Sequence, residues 1–266
     1  MNPTDFEAAR VALVAARRQA RPIASWPREW LPHDLAEAYR LQDAVARDLG
    51  RIGGWKIAAV TDAQRRSLAV PQPVAAPVMA EWMRDGAAAP AEFSFAGFVA
   101  AKLECEFAFE LGSDLPPRPG APYSREEVAA AVACMRPAIE IVDSRLPPGL
   151  GALAELADAF NNGGFVAGAA VRDWQALAFA DIGIVLNVER SGTTSELAQG
   201  SGAAILDGDP FATVVMLANA PPGERGLHAG DIVTTGSCSG APGCPGPGRY
   251  RADFAGIGSV EMRIVG

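Results

Sequence analysis

The sequence predicts an α+β fold in one continuous body, with a helical N-terminal region over residues 1–88 and a strand-rich region over 89–266. Three observations carry this. Apolar residues recur at helical spacing through residues 4–21 and again from Asp34 to Gly50. From about residue 90 the composition shifts to short apolar runs punctuated by glycine turns. Within that region, Lys102–Leu111 alternates strictly between apolar and charged residues, which is the period of a strand. At 266 residues and 49% hydrophobic, the chain can bury a substantial core.

The first helix is expected to be capped by Thr4 or Asp5 and to bury Phe6, Ala9, Leu13 and Ala16. Pro22 and the Trp26–Pro32 stretch break it. The second starts at Asp34, buries Leu35, Ala38, Leu41, Gln42 and Val45, and stops at Gly50. Both read as packing elements or an oligomer surface rather than a site. Gly53 to Val60 reads as a short, mostly buried strand whose only charge is Lys56. A lysine there either snorkels to the edge or is held in a site. Thr61–Leu68 predicts a short helix and Val70–Pro73 an extended turn.

Further along, Pro137–Val142 is apolar on both sides of a single Glu140, as in a strand covered on both faces. Asp158 to Gly168 leads polar residues into a buried strand, and Ile182–Glu189 is another. Asp209–Pro210 opens a helix to Asn219, a capping residue followed by proline at the first helical position. Gly230–Ser237 and Tyr250–Ile264 read as strand and hairpin, around a tight loop at Gly240–Gly248.

Charge and composition exclude several classes of function. A net charge of −8 speaks against nucleic acid or an anionic membrane as the main partner, so an acidic substrate must be held by local cations. Cys105, Cys134, Cys238 and Cys244 show no CxxC spacing, which predicts reduced thiols in a cytoplasmic protein. Asp5, Glu7 and Arg10 argue against a signal peptide, and no apolar run is long enough to span a bilayer. His33 and His228 are the only histidines and both fall in connections, which disfavours a serine triad or a histidine-ligated metal.

The alternation of Lys102–Leu111 places Leu103, Cys105, Phe107, Phe109 and Leu111 on one face, with Lys102, Glu104, Glu106 and Glu110 on the other. Adjacent carboxylates cost energy unless a cation or a proton sits between them. Taken alone, this face is also what a solvated edge strand looks like. Glu140 adds a third carboxylate, and a lone buried one needs pairing or coordination. Together Glu104, Glu106 and Glu140 would offer hard oxygen donors suited to magnesium, manganese or calcium rather than zinc.

An ordered set of motifs resembles the fumarylacetoacetate hydrolase superfamily, most closely its 2-keto-4-pentenoate hydratase branch, over nearly the whole chain. The carriers are Gly54-Trp55-Lys56, the Leu68–Pro73 turn, Glu104-x-Glu106, Pro137-Ala138-Ile139-Glu140 with Asp143-Ser144-Arg145, and Asp158 before the glycines. Gly208-Asp209-Pro210, Ala229-Gly230-Asp231 and Thr235-Gly236-Ser237 complete the set.

The resemblance implies a mixed β-roll core with helices packed around it. It implies Mg2+ or Mn2+ on Glu104, Glu106 and Glu140, with Ca2+ able to replace them in a crystal. Lys56 and Asp158 would be the catalytic pair, and Ser237, Arg145, Asn161 and Val70 would contact substrate. Lys102 has no family role and stands as a candidate partner of the metal carboxylates. The implied protein is a cytoplasmic homo-oligomer, with a pathway enzyme as a further partner, acting in aromatic meta-cleavage catabolism.

Its substrate would be a 2-hydroxy-2,4-dienoate or 2-oxo-enoate, hydrated to a 4-hydroxy-2-oxo acid. A cation gripping both oxygens of a 2-oxo acid draws electrons from the carbonyl and eases proton movement at the neighbouring carbon. The same activation serves a 2-oxo-3-enedioate decarboxylase or an acylpyruvate hydrolase. Two departures mark this chain. Branch members often carry Asp-Asn-Ala-Ser where it has Asp158-Ala159-Phe160-Asn161, and glycine and an acid near Pro71 where it has Ala69, Gln72, Val74 and Ala76. The altered loop motivates a reading from another class, a carboxylate-binding or assembly protein that kept the metal cage without catalysis.

Overall fold

Asn2 caps the first helix, α1 (Pro3–Gln19): its side chain accepts from the Asp5 N–H at 2.9 Å, so the cap lies ahead of Thr4 and Asp5. Asp34 caps α2 (Leu35–Leu49) as predicted, accepting from the Glu37 N–H, and the helix ends at Gly50 with φ +118°. α1 and α2 bury Ala9, Leu13, Leu41 and Val45 against one another. The computed structural model describes residues 1–221 and 225–266.

Twelve strands follow among the described residues: β1 (Ile52–Ala58), β2 (Val74–Met79), β3 (Met83–Asp85), β4 (Ala91–Ser94), β5 (Lys102–Leu111), β6 (Val132–Val142), β7 (Asn162–Ala167), β8 (Gly183–Arg190), β9 (Thr193–Ser201), β10 (Ile232–Thr234), β11 (Gly248–Phe254) and β12 (Gly258–Val265). Between them lie α3 (Asp62–Leu68), closed by a Thr61–Gln64 capping box, α4 (Arg125–Ala131), α5 (Ala152–Ala157) and α6 (Phe211–Asn219).

The strands form a seven-stranded sheet, β2-β1-β10-β5-β6-β7-β3, and a five-stranded sheet, β4-β12-β11-β8-β9. These two curled sheets and their surrounding helices make the α+β, β-roll architecture that was expected. Strands from both sides of residue 88 interleave: β1 lies parallel to β10, and β3 parallel to β7. Sequence patterning missed β2, β3, β4 and β9. β2 carries Pro77 and sits at a sheet edge, where a missing N–H is tolerated; β9 is an edge strand too polar to show a buried face.

The apolar face of β5 packs on the second sheet. Phe107 lies 4.9 Å from Phe179 and 5.6 Å from Phe254, ring centre to ring centre. Burial of that face forces the even-numbered residues of β5 to the opposite side, where Ala108 packs with Val78 and Phe165. The cysteines are free thiols, and no described helix is long and apolar enough to cross a membrane.

Candidate metal centre

Antiparallel register sets Glu104 on β5 directly opposite Glu140 on β6, with Glu106 two residues along the same face. One carboxylate oxygen from each lies within 4.8 Å of the others. Glu106 and Glu140 are buried, and Glu104 is half-buried. Three acids share one small space, two of them almost wholly removed from solvent.

Lys56 reaches the same face through the β1–β10 and β10–β5 pairings, which align it with Thr234 and Thr234 with Ala108. Its Nζ is 2.7 Å from Glu140 Oε1 and donates to the Phe160 carbonyl at 3.3 Å. Asn162 Nδ2 donates to the same Glu140 oxygen at 2.8 Å. Glu106 Oε2 accepts from Thr234 Oγ1 and, at 2.9 Å, from the Gly236 N–H. Glu140 Oε2 is buried with no hydrogen-bond partner among the described residues.

Burial pushes the Glu104 carboxyl up to about 7, reinforced by the Glu140 charge. Glu106 is raised well above the ordinary carboxylate range, first by burial and then by Glu140 and Glu104. Burial works to lower the Lys56 ammonium, but Glu140, Glu104 and Glu106 together outweigh it and hold it above the usual lysine value. When ionised, three crowded acids beside one ammonium carry an excess of negative charge. A divalent cation balances it, and the all-oxygen donors with an unpartnered Glu140 oxygen fit Mg2+ or Mn2+.

A cavity of about 270 Å³ opens beside this cluster. Lys56, Glu104, Glu106, Asn161 and Ser237 line it, while Val60, Leu68, Val142, Phe160 and Ile205 supply an apolar wall. The structure therefore brings together most of the residues expected from sequence. Glu140 lies just behind the lining.

The remaining expected residues stand elsewhere. Asp158 is buried 3.4 Å from Arg145 Nε, and its carboxyl oxygens make no hydrogen bond among the described residues. Arg145 is buried too, pairing with Asp143 and donating to the Asn162 carbonyl at 3.1 Å. Asp143 in turn accepts the Val99 and Ala100 N–H groups. Val70 packs in an apolar cluster with Ala38 and Ala59. Neither Asp158, Arg145 nor Val70 lines the cavity. Lys102 is exposed and forms no ion pair among the described residues, though its charge works to lower Glu104.

Ala159, Phe160 and Asn161 all adopt left-handed conformations, with φ of +51°, +47° and +61°. Such backbone costs about 1–2 kcal/mol at an ordinary L residue. Strain of this kind persists where surrounding contacts impose it, here where the chain turns the Phe160 carbonyl onto Lys56. Sequence reasoning did not assign Thr234 or Arg17, and raised Asn162 only as a place to which a lost polar contact could move. Arg17 left one signal: it sits four residues after Leu13, on the apolar stripe of α1.

No family model matches the chain. Curated relatives do. It is 29% identical over 263 residues to 2-keto-4-pentenoate hydratase 2 of Dechloromonas aromatica, covering 96% of this chain and 95% of the relative. It is 30% identical over 266 residues to 2-keto-4-pentenoate hydratase of Paraburkholderia phymatum, covering 95% and 96%. With 4-oxalocrotonate decarboxylase of a Pseudomonas species it shares 30% over 190 residues, 70% of this chain and 67% of the other. Among solved structures, 4-oxalocrotonate decarboxylase from Pseudomonas putida G7, complexed with magnesium and adipate, superposes with a TM-score of 0.81 at 22% identity. That match covers 100% of this chain and 99% of that one, and it establishes the fold. With the full-length similarity, the shared architecture and a three-glutamate cluster, the chain belongs to the 2-keto-4-pentenoate hydratase family.

Proposed function

We propose that this protein is a divalent-metal-dependent hydratase that adds water to a 2-hydroxy-2,4-dienoate or 2-oxo-enoate, giving a 4-hydroxy-2-oxo acid. The observation that carries the reading is the Glu104–Glu106–Glu140 cluster, with its unpartnered Glu140 oxygen, at the end of a cavity whose far wall is apolar. The family relationship supports it.

Glu104, Glu106 and Glu140 would hold Mg2+ or Mn2+, which when bound polarises the carbonyl of a 2-oxo acid. Two of the three Lys56 N–H directions go to Glu140 and Phe160. The third is left to hold or move a proton at a substrate atom in the cavity. Ser237 and Asn161 offer polar groups for the substrate carboxylate or the incoming water, and Val60, Leu68 and Ile205 exclude bulk water from the tail. Asp158 and Arg145 stand behind the lining; the Asp158 backbone carbonyl accepts the Asn161 N–H at 3.0 Å and Arg145 donates to the Asn162 carbonyl, which supports a positioning role at the Phe160–Asn161 turn. Val70 packs in the same apolar cluster as Ala159 and Phe160. The free thiols support a reducing compartment, and the reading includes a cytoplasmic homo-oligomer.

Decarboxylation of a 2-oxo-3-enedioate is the second reading, supported by the decarboxylase relative and by the apolar wall. A carboxylate pressed against that wall is destabilised, and loss of carbon dioxide relieves it. Incubation of the purified protein and magnesium with 2-hydroxypenta-2,4-dienoate, following the dienol absorbance, tests the proposal. Loss of absorbance with a product heavier by one water supports hydration. Turnover of the enedioate alone, with carbon dioxide released, replaces hydration by decarboxylation. Metal binding without turnover of either substrate leaves a carboxylate-binding protein.

A further inference from the structure

Arg17, near the end of α1, is 6% exposed although it belongs to a helix that otherwise packs as scaffold. Nη1 and Nη2 both donate to the Asn162 carbonyl, and the guanidinium lies 4.8 Å from the Trp82 ring centre. Arg145 Nη2 donates to the same carbonyl at 3.1 Å. Two buried guanidinium groups thus converge on one oxygen, an expensive arrangement in a low-dielectric interior. Burial, then the Arg145 charge, pushes Arg17 down to about 9, against the pull of Asp158, Asp143 and Glu140.

The reason lies in what Asn162 does with its side chain. Its amide donates to Glu140 Oε1 at 2.8 Å and is fully buried. Yet Asn162 follows the left-handed Ala159–Asn161 run, and the β6–β7 ladder shifts register between Ile141 and Val142, the residue it faces. A bulge leaves the backbone there less constrained than a regular ladder would. The two arginines supply the missing constraint by clamping the carbonyl.

We propose that Arg17 is a positioning residue for Glu140, acting through Asn162, so that α1 belongs to the metal cage. The inference rests on the proposed metal role of Glu140. Orientation of a ligating carboxylate by an outer hydrogen bond is typically worth about 10–100-fold in metal affinity.

Mn2+ titration of the full-length protein, read by loss of the free-ion paramagnetic resonance signal, tests it with Arg17→Met, Asn162→Ala and the double variant. Thermal melts report folding in parallel. Arg17→Met is expected to weaken Mn2+ about 10-fold. Because both residues act on one carboxylate, the double variant is expected to bind no more weakly than Asn162→Ala alone. Arg17→Lys, which keeps the charge and one donor, recovers part of the loss. If Arg17→Met fails to fold, the comparison is made with Arg17→Lys and its double variant. Wild-type affinity in the Arg17 variants, or losses that multiply in the double variant, overturns this inference alone. A wild-type protein that takes up no Mn2+ overturns the metal reading and the inference with it.

Discussion

Lys56 Nζ sits 2.7 Å from Glu140 Oε1, with both groups almost wholly removed from solvent. Replacing Lys56 with Met strips a buried carboxylate of its counter-ion, a change that costs about 3–5 kcal/mol in comparable pairs. The metal-free variant should therefore melt well below the wild type, and magnesium should restore more stability to the variant. Metal binding is retained while turnover falls by about 10²–10⁴-fold. Calorimetric melts with and without magnesium, beside dienol kinetics, check both halves.

Glu106→Gln keeps the shape of the side chain and removes its charge. Affinity for Mn2+ should fall by more than the ~10–100-fold expected for an outer partner, with activity abolished and the fold intact. An active Gln variant, measured in the same dienol assay, would show that another residue holds the cation.

The raised Glu104 carboxyl gives the metal-free protein a pH signature. Its pKa is about 7 in the fold against 4.5 in the unfolded chain, so between those values the folded state binds more protons. The Glu104 contribution to stability is full below pH 4.5 and is lost as pH rises through about 7. Chemical denaturation in chelator from pH 5 to 8 should show stability falling along this arm. Added Mg2+ should flatten it. A Glu104→Gln variant should lack this component.

Leu68 lines the cavity from the end of α3 and is half-buried, so it can be changed without opening the core. Leu68→Arg introduces a cation into the apolar wall. The KM for the enedioate should fall about 10-fold relative to that for the five-carbon dienoate. Steady-state kinetics with both substrates measure it.

Phe107 is fully buried between Phe179 and Phe254, where the two sheets meet. Phe107→Ala should cost about 3–5 kcal/mol, read from urea denaturation. It leaves the Glu face of the same strand in place, so metal affinity in the folded fraction should hold.

The carboxylate cage was legible because β5 and β6 obey a simple rule: burying Phe107 and Ile139 on one side dictates where Glu106 and Glu140 point. The helices expected from Asp34 and from Thr61 are present as α2 and α3, and those two residues cap them. What stayed hidden has physical reasons. Arg17 meets Asn162 across 145 residues of chain, and no local periodicity encodes such a contact. The left-handed run at Ala159 and Phe160 uses residue types with no preference for positive φ, so its strain is imposed by tertiary packing. Phe160 is also where Lys56 gains its second acceptor.

The parallel docking of β1 against β10 sets the order in which a newly made chain can become competent. Until residue 234 has left the ribosome, β1 can pair only with β2, and Lys56 has no neighbour to carry it to the acids on β5 and β6. Contacts so distant in sequence form late. A truncated translation product would hold its three glutamates without their lysine, and degradation before release would find an open sheet edge at β1.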